Sequence, residues 1–544
     1  MKKIFLFILL LVLIVSFTAA CSHTNKLASV QELTVAVTEE PATLDPQKAT
    51  QNIAYTIINN VMESLVRIND EGEIEPALAK SWQISQDRLT YTFTLRDAKW
   101  SDNTSITAYD IEYSLKRALD ASFSSDTSYQ MFLIDNSYEA KYEINESGQE
   151  VDITSEDIGV VAIDDKTLEV TLEEPASYFL ALLANPVFIP SKKDCIEAAG
   201  EEYAMTPESM VYSGPYIVKN WTKGEKIVLI KNPYYWDSGD VILDEIDFII
   251  EPKSAAIVKL FQQGEVDLFE IPSSYITQFM GQETLRQVIS ATIWYIQFNC
   301  GNKYFSNSKI RQAFAMAIDR EGFFDSIKSG TANIAYSLTS PSIPLDGKYL
   351  FTDTKDDIEY ISFDVEKANQ LLDEGLDEIG ATREEFEKEM IFLRGEGDVW
   401  TNITDYLSKQ LQDVFNIDLN IDIVGDTELI TLYQNKEYAF TFSGNESDCF
   451  DPLGGLEKFT SNNSNNFSYF SNEEYDVVII EAKKNDKNNK KTNIIKAENI
   501  LAQQAPILPL YYSVDNYAMQ DNVKGVVFIP VHMYIDFKNA YITK

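Results

Sequence analysis

Histidine and cysteine are scarce in this chain of 544 residues: there are two of the first, His23 and His532, and four of the second, Cys21, Cys195, Cys300 and Cys449. Zinc and haem sites need clusters of such residues; with no C-x-x-C pair and no Cys/His group, neither is supported, and no metal or cofactor is expected. Four cysteines are also too few for a disulfide scaffold. With Cys21 set aside for the reason given below, three remain, so at least one thiol stays free unless it pairs with another molecule, and buried, unpaired thiols are expected. Nucleophilic catalysis lacks its parts as well, because His532 is the one candidate base outside the N-terminal segment and neither G-x-S-x-G nor H-E-x-x-H occurs. Paired carboxylates such as Asp448 and Asp451 could serve a glycosidase only at a separation that sequence proximity does not establish. The expectation is that the chain is not an enzyme. Positive charge is short too: 45 Lys and Arg stand against 85 Asp and Glu, a formal net charge of -40. Such a chain repels nucleic-acid backbones and anionic head groups, which rules against a nucleic-acid partner.

What is present is ample material for cores, with 45% hydrophobic and 12% aromatic residues. Domains run to about 150 residues, so this length implies two to four of them. The one long apolar run lies at the N-terminus, where Lys2 and Lys3 precede residues 4–15 and then SFTAAC, the layout of a secretory signal. The run is shorter than the about 20 residues a membrane span needs. Ala19 and Ala20 before Cys21 resemble a bacterial lipobox, with Thr18 where that pattern usually has Leu. On this reading residues 1–20 are a signal peptide, Cys21 is the lipid-attachment site, and residues 21–29 are a lipid-anchored tether to the extracytoplasmic face of the cell membrane. The alternative is a simple cleaved signal with Cys21 an ordinary cysteine.

Strands and helices interleave along the rest, the pattern of an α/β fold. Residues 33–37 alternate as a strand, and Ile53, Ile57, Ile58, Val61 and Leu65 recur at helical spacing. TYTFTL (90–95) has period two, and Thr107 with Asp110 forms a capping box that opens a helix running through Leu119. Further helices are expected over 310–318, 365–372 and 474–482. NIDLNIDIV (416–424) places Ile417, Leu419, Ile421 and Ile423 on one face, a strand covered on one side. The charge-rich stretches 373–389 and 483–491 are expected to be solvated.

Eight stretches occur in order: TLDP (43–46), MESLVRINDEGEIEPALAKSW (62–82), YTFTLRDAKWSDNTSITAYDI (91–111), YSGPYIV (212–218), KNPYYW (231–236), GEVD (264–267), IRQAFAMAIDR (310–320) and PILPLYY (506–512). Together they resemble the oligopeptide-binding proteins of bacterial peptide ABC transporters, the family 5 extracellular solute-binding proteins, over the chain from about Leu33 onward. Asn103 and Ser105 depart from the family's usual Gly and Pro. The resemblance implies a two-lobed, type II periplasmic-binding-protein fold with an inserted domain, three domains in all. Lobe I would comprise residues 30–66, 192–293 and 510–544, the inserted domain 67–191, and lobe II 294–509, with a hinge near 291–298 and 508–513. Its partners would be an oligopeptide ligand and ABC permease subunits, with the protein itself a monomer. The alternatives are a receptor for one signalling peptide and a binder of a non-peptide solute such as a metal chelate.

The stretch GNESDCFDP (444–452) matches the family's G-W-x-x-D-x-x-[D/E]-P at Gly444, Asp448, Asp451 and Pro452, with Asn445 in place of Trp. By resemblance Asp448 pairs with the ligand's α-ammonium, a partner that an enclosed cation requires. The alternative is a turn cap before Pro452. Asp451 is expected to fix the loop, and loss of the Trp to widen the pocket. The backbone of residues 37–42, from Val37, of residues 212–215, and of Gly444, Asn445 and Glu446 would pair with an extended peptide. Glu40 aligns with an acidic cleft residue or is an exposed loop carboxylate. Tyr295 and Trp294, near the hinge, line the cleft or belong to the core.

Overall fold

The computed structural model describes residues 26–145, 148–327, 330, 332–345, 349–350, 357–484 and 487–544. The signal peptide, Cys21 and His23 lie outside these residues. Ten strands form one continuous sheet, in the order Asn420–Ile423, Ile391–Arg394, Phe440–Glu446, Leu285–Phe298, Ile507–Met519, Leu268–Glu270, Glu32–Val37, Glu245–Ile250, Lys226–Lys231 and Tyr216–Thr222. An eleventh, Ala332–Ile334, pairs with Ile507–Met519 away from this path. The halves of the sheet are joined by its two longest strands, Leu285–Phe298 and Ile507–Met519, which pair antiparallel from Leu285↔Ala518 to Gln297↔Ile507. Their register slips between Ile289 and Ile293. At the slip the Ala291 amide turns to the Pro530 carbonyl at 3.0 Å, and the Ser290 carbonyl accepts from Ser340 Oγ at 2.7 Å. A bulge of this kind bends a ladder without breaking it.

Local signals explain several elements. Thr90–Leu95 is a strand whose Tyr91, Phe93 and Leu95 are buried, the centre of a separate sheet with Ala79–Ile84, Thr167–Thr171 and Val160–Asp164. The helix Ala108–Leu119 opens on the expected box, with the Asp110 amide donating to Thr107 Oγ1 at 3.4 Å and the Thr107 amide to Asp110 Oδ2 at 2.8 Å. Helix Asn52–Val61 buries Ile57, Ile58 and Val61 completely. The helices Ser308–Ala317, Val365–Ile379 and Glu473–Lys484 occupy the three predicted places. In the half that contains Leu285–Phe298, rings of Phe298, Phe305, Phe314, Phe386 and Phe440 pack with centroids 5.0 to 6.3 Å apart.

Two expectations fail for physical reasons. Residues 416–424 yield only the short edge strand Asn420–Ile423; Ile417 is buried, but Ile421 and Ile423 are 41% and 52% exposed, because the strand has a neighbour on one side only. The lysine-rich stretch is not all solvated. Lys483 and Lys490 turn inward onto carboxylates, Lys483 to Glu174 at 2.5 Å and Glu457 at 3.1 Å, and Lys490 to Asp451. A buried ammonium persists where a carboxylate neutralises it.

The N-terminal end of the described chain is tied to the C-terminal end. Leu27 bridges Thr543, the Lys544 amide donates to the Lys26 carbonyl, and the Gln31 amide group exchanges hydrogen bonds with the Ile542 backbone across 511 positions. Residues 26–29 of the expected tether are therefore held against the fold. Among the described residues Cys195, Cys300 and Cys449 are free, with Cys449 wholly buried and the other two partly so.

Candidate functional site

The strand Phe440–Glu446 pairs along its whole length with Leu285–Phe298, from Phe298↔Phe440 to Thr292↔Glu446. On its other side Ile391–Arg394 covers only Phe440 and Thr441. Residues 442–446 therefore present a strand edge paired with no other described strand, a template for an added extended chain. Gly444 lies close against the ring across the ladder: a Cβ on it would stand 3.0 Å from the Trp294 indole, a tight contact. Trp294 is half-buried, stacks on Phe442 at 5.2 Å and donates through Nε1 to Ser513 Oγ at 2.9 Å. Tyr295, one position on, points the other way into the core, 3% exposed and edge-on to Phe459.

The chain leaves this strand into the loop carrying Asp448. Its carboxylate is 19% exposed and doubly engaged: Oδ2 lies 3.0 Å from Lys458 Nζ, and Oδ1 accepts from the Tyr129 hydroxyl at 3.1 Å. Burial and the Asp448 charge together hold the Tyr129 hydroxyl well above its ordinary pKa, so it remains a donor. The Asp448 carbonyl accepts from Asn185 Nδ2 at 2.6 Å. Lys458 in turn reaches Asn445 Oδ1 at 3.1 Å and the Glu446 carbonyl at 2.9 Å. Below the loop Asp451 is buried, its Oδ1 accepting from the Leu453 amide at 3.0 Å and its Oδ2 paired with Lys490, so it fixes the turn as expected.

Glu446 accepts from the His532 amide at 2.8 Å, with His532 Nδ1 3.7 Å away. Burial pushes the Glu446 carboxyl up, but its hydrogen bonds and charge attraction with His532 outweigh this, and its pKa lies below the usual glutamate value. Tyr55, tilted against the His532 ring at 5.6 Å, is pushed up to about 12 by burial and by Glu446. On the long strand Ile507–Met519, Asp515 is pushed up to about 7 by burial and then by the charges of Glu270 and Glu446.

The remaining candidates are placed elsewhere. Val37 ends the strand Glu32–Val37, and its carbonyl accepts from the Glu251 amide at 2.9 Å. Glu40 accepts from Trp221 Nε1 at 3.1 Å and the Gly224 amide at 3.3 Å, bonds within its own part of the fold. In residues 212–215 much of the backbone is engaged internally: the Ser101 amide donates to the Tyr212 carbonyl, the Gly214 amide to the Val61 carbonyl, and Asn232 to the Gly214 and Pro215 carbonyls. The structure thus brings Asp448, Asn445, Glu446 and Gly444 together, and adds Lys458, Tyr129 and Asn185, which no local pattern marks. Among the described residues no group of three or more His, Cys, Asp or Glu could hold a metal ion, and no helix is long and apolar enough to cross a membrane.

A family model described as bacterial extracellular solute-binding proteins, family 5 Middle, matches residues 73–467. The chain is 30% identical over 506 residues to the dipeptide-binding protein DppE of Bacillus subtilis (strain 168), covering 92% of this chain and 90% of that protein. Among solved structures it is similar to the MppA periplasmic murein tripeptide binding protein in its unliganded open form. That match has a TM-score of 0.79 at 25% identity over 95% of this chain and 98% of the other. The corresponding values for Listeria monocytogenes OppA bound to peptide are 0.69, 28%, 95% and 100%. The agreement is closer with the open form.

Proposed function

Because the chain belongs to the family 5 bacterial extracellular solute-binding proteins, a group of two-lobed binding proteins rather than enzymes, we propose that it captures oligopeptides in extended form between its lobes and delivers them to an ABC permease for import. The observation that carries this reading is that Asp448, beside the free strand edge 442–446, already holds a primary ammonium at 3.0 Å. A peptide's α-ammonium has the same charge and the same three donors. Asp448 takes that terminus, while the edge at Gly444, Asn445 and Glu446 bonds the peptide backbone. Main-chain bonding is indifferent to side chains, which gives breadth of sequence. Trp294, beside Gly444, supplies an apolar contact surface; Glu40 and Val37 border the cleft from lobe I, and Tyr295 supports the strand from within. The two lobes, residues 30–66, 192–293 and 510–544 against 294–509, close by bending where Leu285–Phe298 and Ile507–Met519 cross, with residues 67–191 inserted. Cys21 carries the lipid that holds the protein, as a monomer, at the outer face of the cell membrane.

The test is calorimetric titration of the fragment that begins after Cys21 with a mixed pool of tripeptides, and with the same pool N-acetylated, for wild type and Asp448→Ala. The expected result is heat from the free-amine pool that is lost on acetylation and in the variant. Equal binding of both pools by wild type removes Asp448 from this role, and binding of neither removes the peptide reading.

A further inference from the structure

Lys458 accounts for an unusual property of the candidate site: its key carboxylate is not bare. The lysine ammonium has three N–H groups, and three acceptors meet it, Asp448 Oδ2 at 3.0 Å, Asn445 Oδ1 at 3.1 Å and the Glu446 carbonyl at 2.9 Å. Its side chain is 18% exposed, so the pair is partly removed from water, where a charge-assisted bond is worth more than at the surface. The backbone beneath it is fixed. Lys458 sits in the turn Glu457–Phe459, where Glu457 accepts from the Tyr178 hydroxyl at 2.6 Å and pairs with Lys483, and Phe459 is buried against Tyr295. A lysine stem is a flexible four-carbon chain, so the ammonium can change partners by side-chain rotation while the turn stays in place.

We propose that Lys458 is a specificity-determining residue: its ammonium holds the place on Asp448 that a ligand amine takes, and a free-amine ligand binds by exchanging with it. This rests on the reading of Asp448 given above. Two cations cannot both be fully neutralised by one carboxylate, so each amine-bearing ligand binds against competition from the lysine, whereas a ligand with a blocked terminus has no such competitor to displace. Asn445 belongs to the same device. Its amide oxygen is one of the lysine's three acceptors, and the aromatic residue of the resembling pattern has no acceptor to offer there.

The experiment measures, by calorimetry, the ratio of association constants for a free-amine tripeptide pool over its N-acetylated counterpart, in wild type and in Lys458→Gln, Asn445→Ala and Asp448→Asn. Lys458→Gln keeps hydrogen-bond donors toward Asn445 and Glu446 but removes the competing charge, and is expected to raise the ratio about tenfold. Asn445→Ala, which only loosens the lysine, is expected to raise it less, and keeps the test open if Lys458→Gln fails to fold. An unchanged ratio overturns the proposal; so does a fall, which would mean that the lysine itself contacts ligand. Asp448→Asn separates the two readings: a ratio that collapses to about one upholds the role of Asp448 whatever the lysine variants do, and a ratio that persists removes that role and the Lys458 proposal with it. A wild type that takes neither pool overturns both.

Discussion

Replacing Asp451 with alanine should cost the protein far more than its position in a loop three residues after Asp448 suggests. Lys490, its partner, is 8% exposed, and an ammonium left there without a counter-ion destabilises by about 3–5 kcal/mol. The Leu453 amide loses its acceptor as well, which adds about 1 kcal/mol. The expected total for Asp451→Ala is roughly 4–6 kcal/mol. Lys490→Met leaves the carboxylate with the Leu453 bond alone, and should cost about 3 kcal/mol. The double variant strands neither charge, so it should be closer to wild type than either single one. Urea unfolding followed by circular dichroism gives the four free energies, and the coupling between the two sites is the cost of the double variant minus the summed costs of the single ones. Single variants within about 1 kcal/mol of wild type, or a double variant that costs the sum of the two, would refute the reasoning. On the role proposed for Asp448, free-amine peptide affinity should fall in the single variants and recover in the double one.

Gly214→Ala should destabilise by at least about 2 kcal/mol, because the added Cβ stands 2.6 Å from Met62 N and Val61 C, backbone atoms that a buried site cannot move aside; an unchanged thermal midpoint would count against this packing. Asp515 is raised in the folded protein to about 7 by burial and by Glu270 and Glu446, above the about 3.9 of an unfolded chain. The folded state therefore binds that proton more tightly, and the stability it contributes is full below about pH 4 and lost as pH rises through about 7. Asp515→Asn should be free of this decline and more stable than wild type at pH 8, and urea midpoints from pH 4 to 8 that show no difference in slope would sink the assignment.

The amino-acid pattern carried the elements whose cause is local. Thr90–Leu95 and the capped helix Ala108–Leu119 need only period two and a Thr-x-x-Asp spacing, and both are in place. Elements whose exposure depends on a distant neighbour were misread. Ile421 and Ile423 alternate as a covered strand should, yet nothing in residues 416–424 says that the strand will lie at the end of the sheet. Lys483 and Lys490 read as solvated because a charge run usually is, and their partners Glu174 and Asp451 lie 309 and 39 positions away. The site divides the same way. Asp448 and Gly444 were singled out through the family resemblance of a nine-residue stretch, and Gly444 lies against the Trp294 ring. Lys458 was not, since its three acceptors are a strand carbonyl, a strand side chain and a loop carboxylate that only the folded turn gathers.

The knot of bonds between residues 26–31 and 541–544 has a consequence for how the chain comes into being. A contact across 511 positions cannot form until nearly all of the polypeptide has been made, and closing so wide a loop is slow next to forming any helix within it. Until then the first strand of the sheet, Glu32–Val37, lacks part of its fastening.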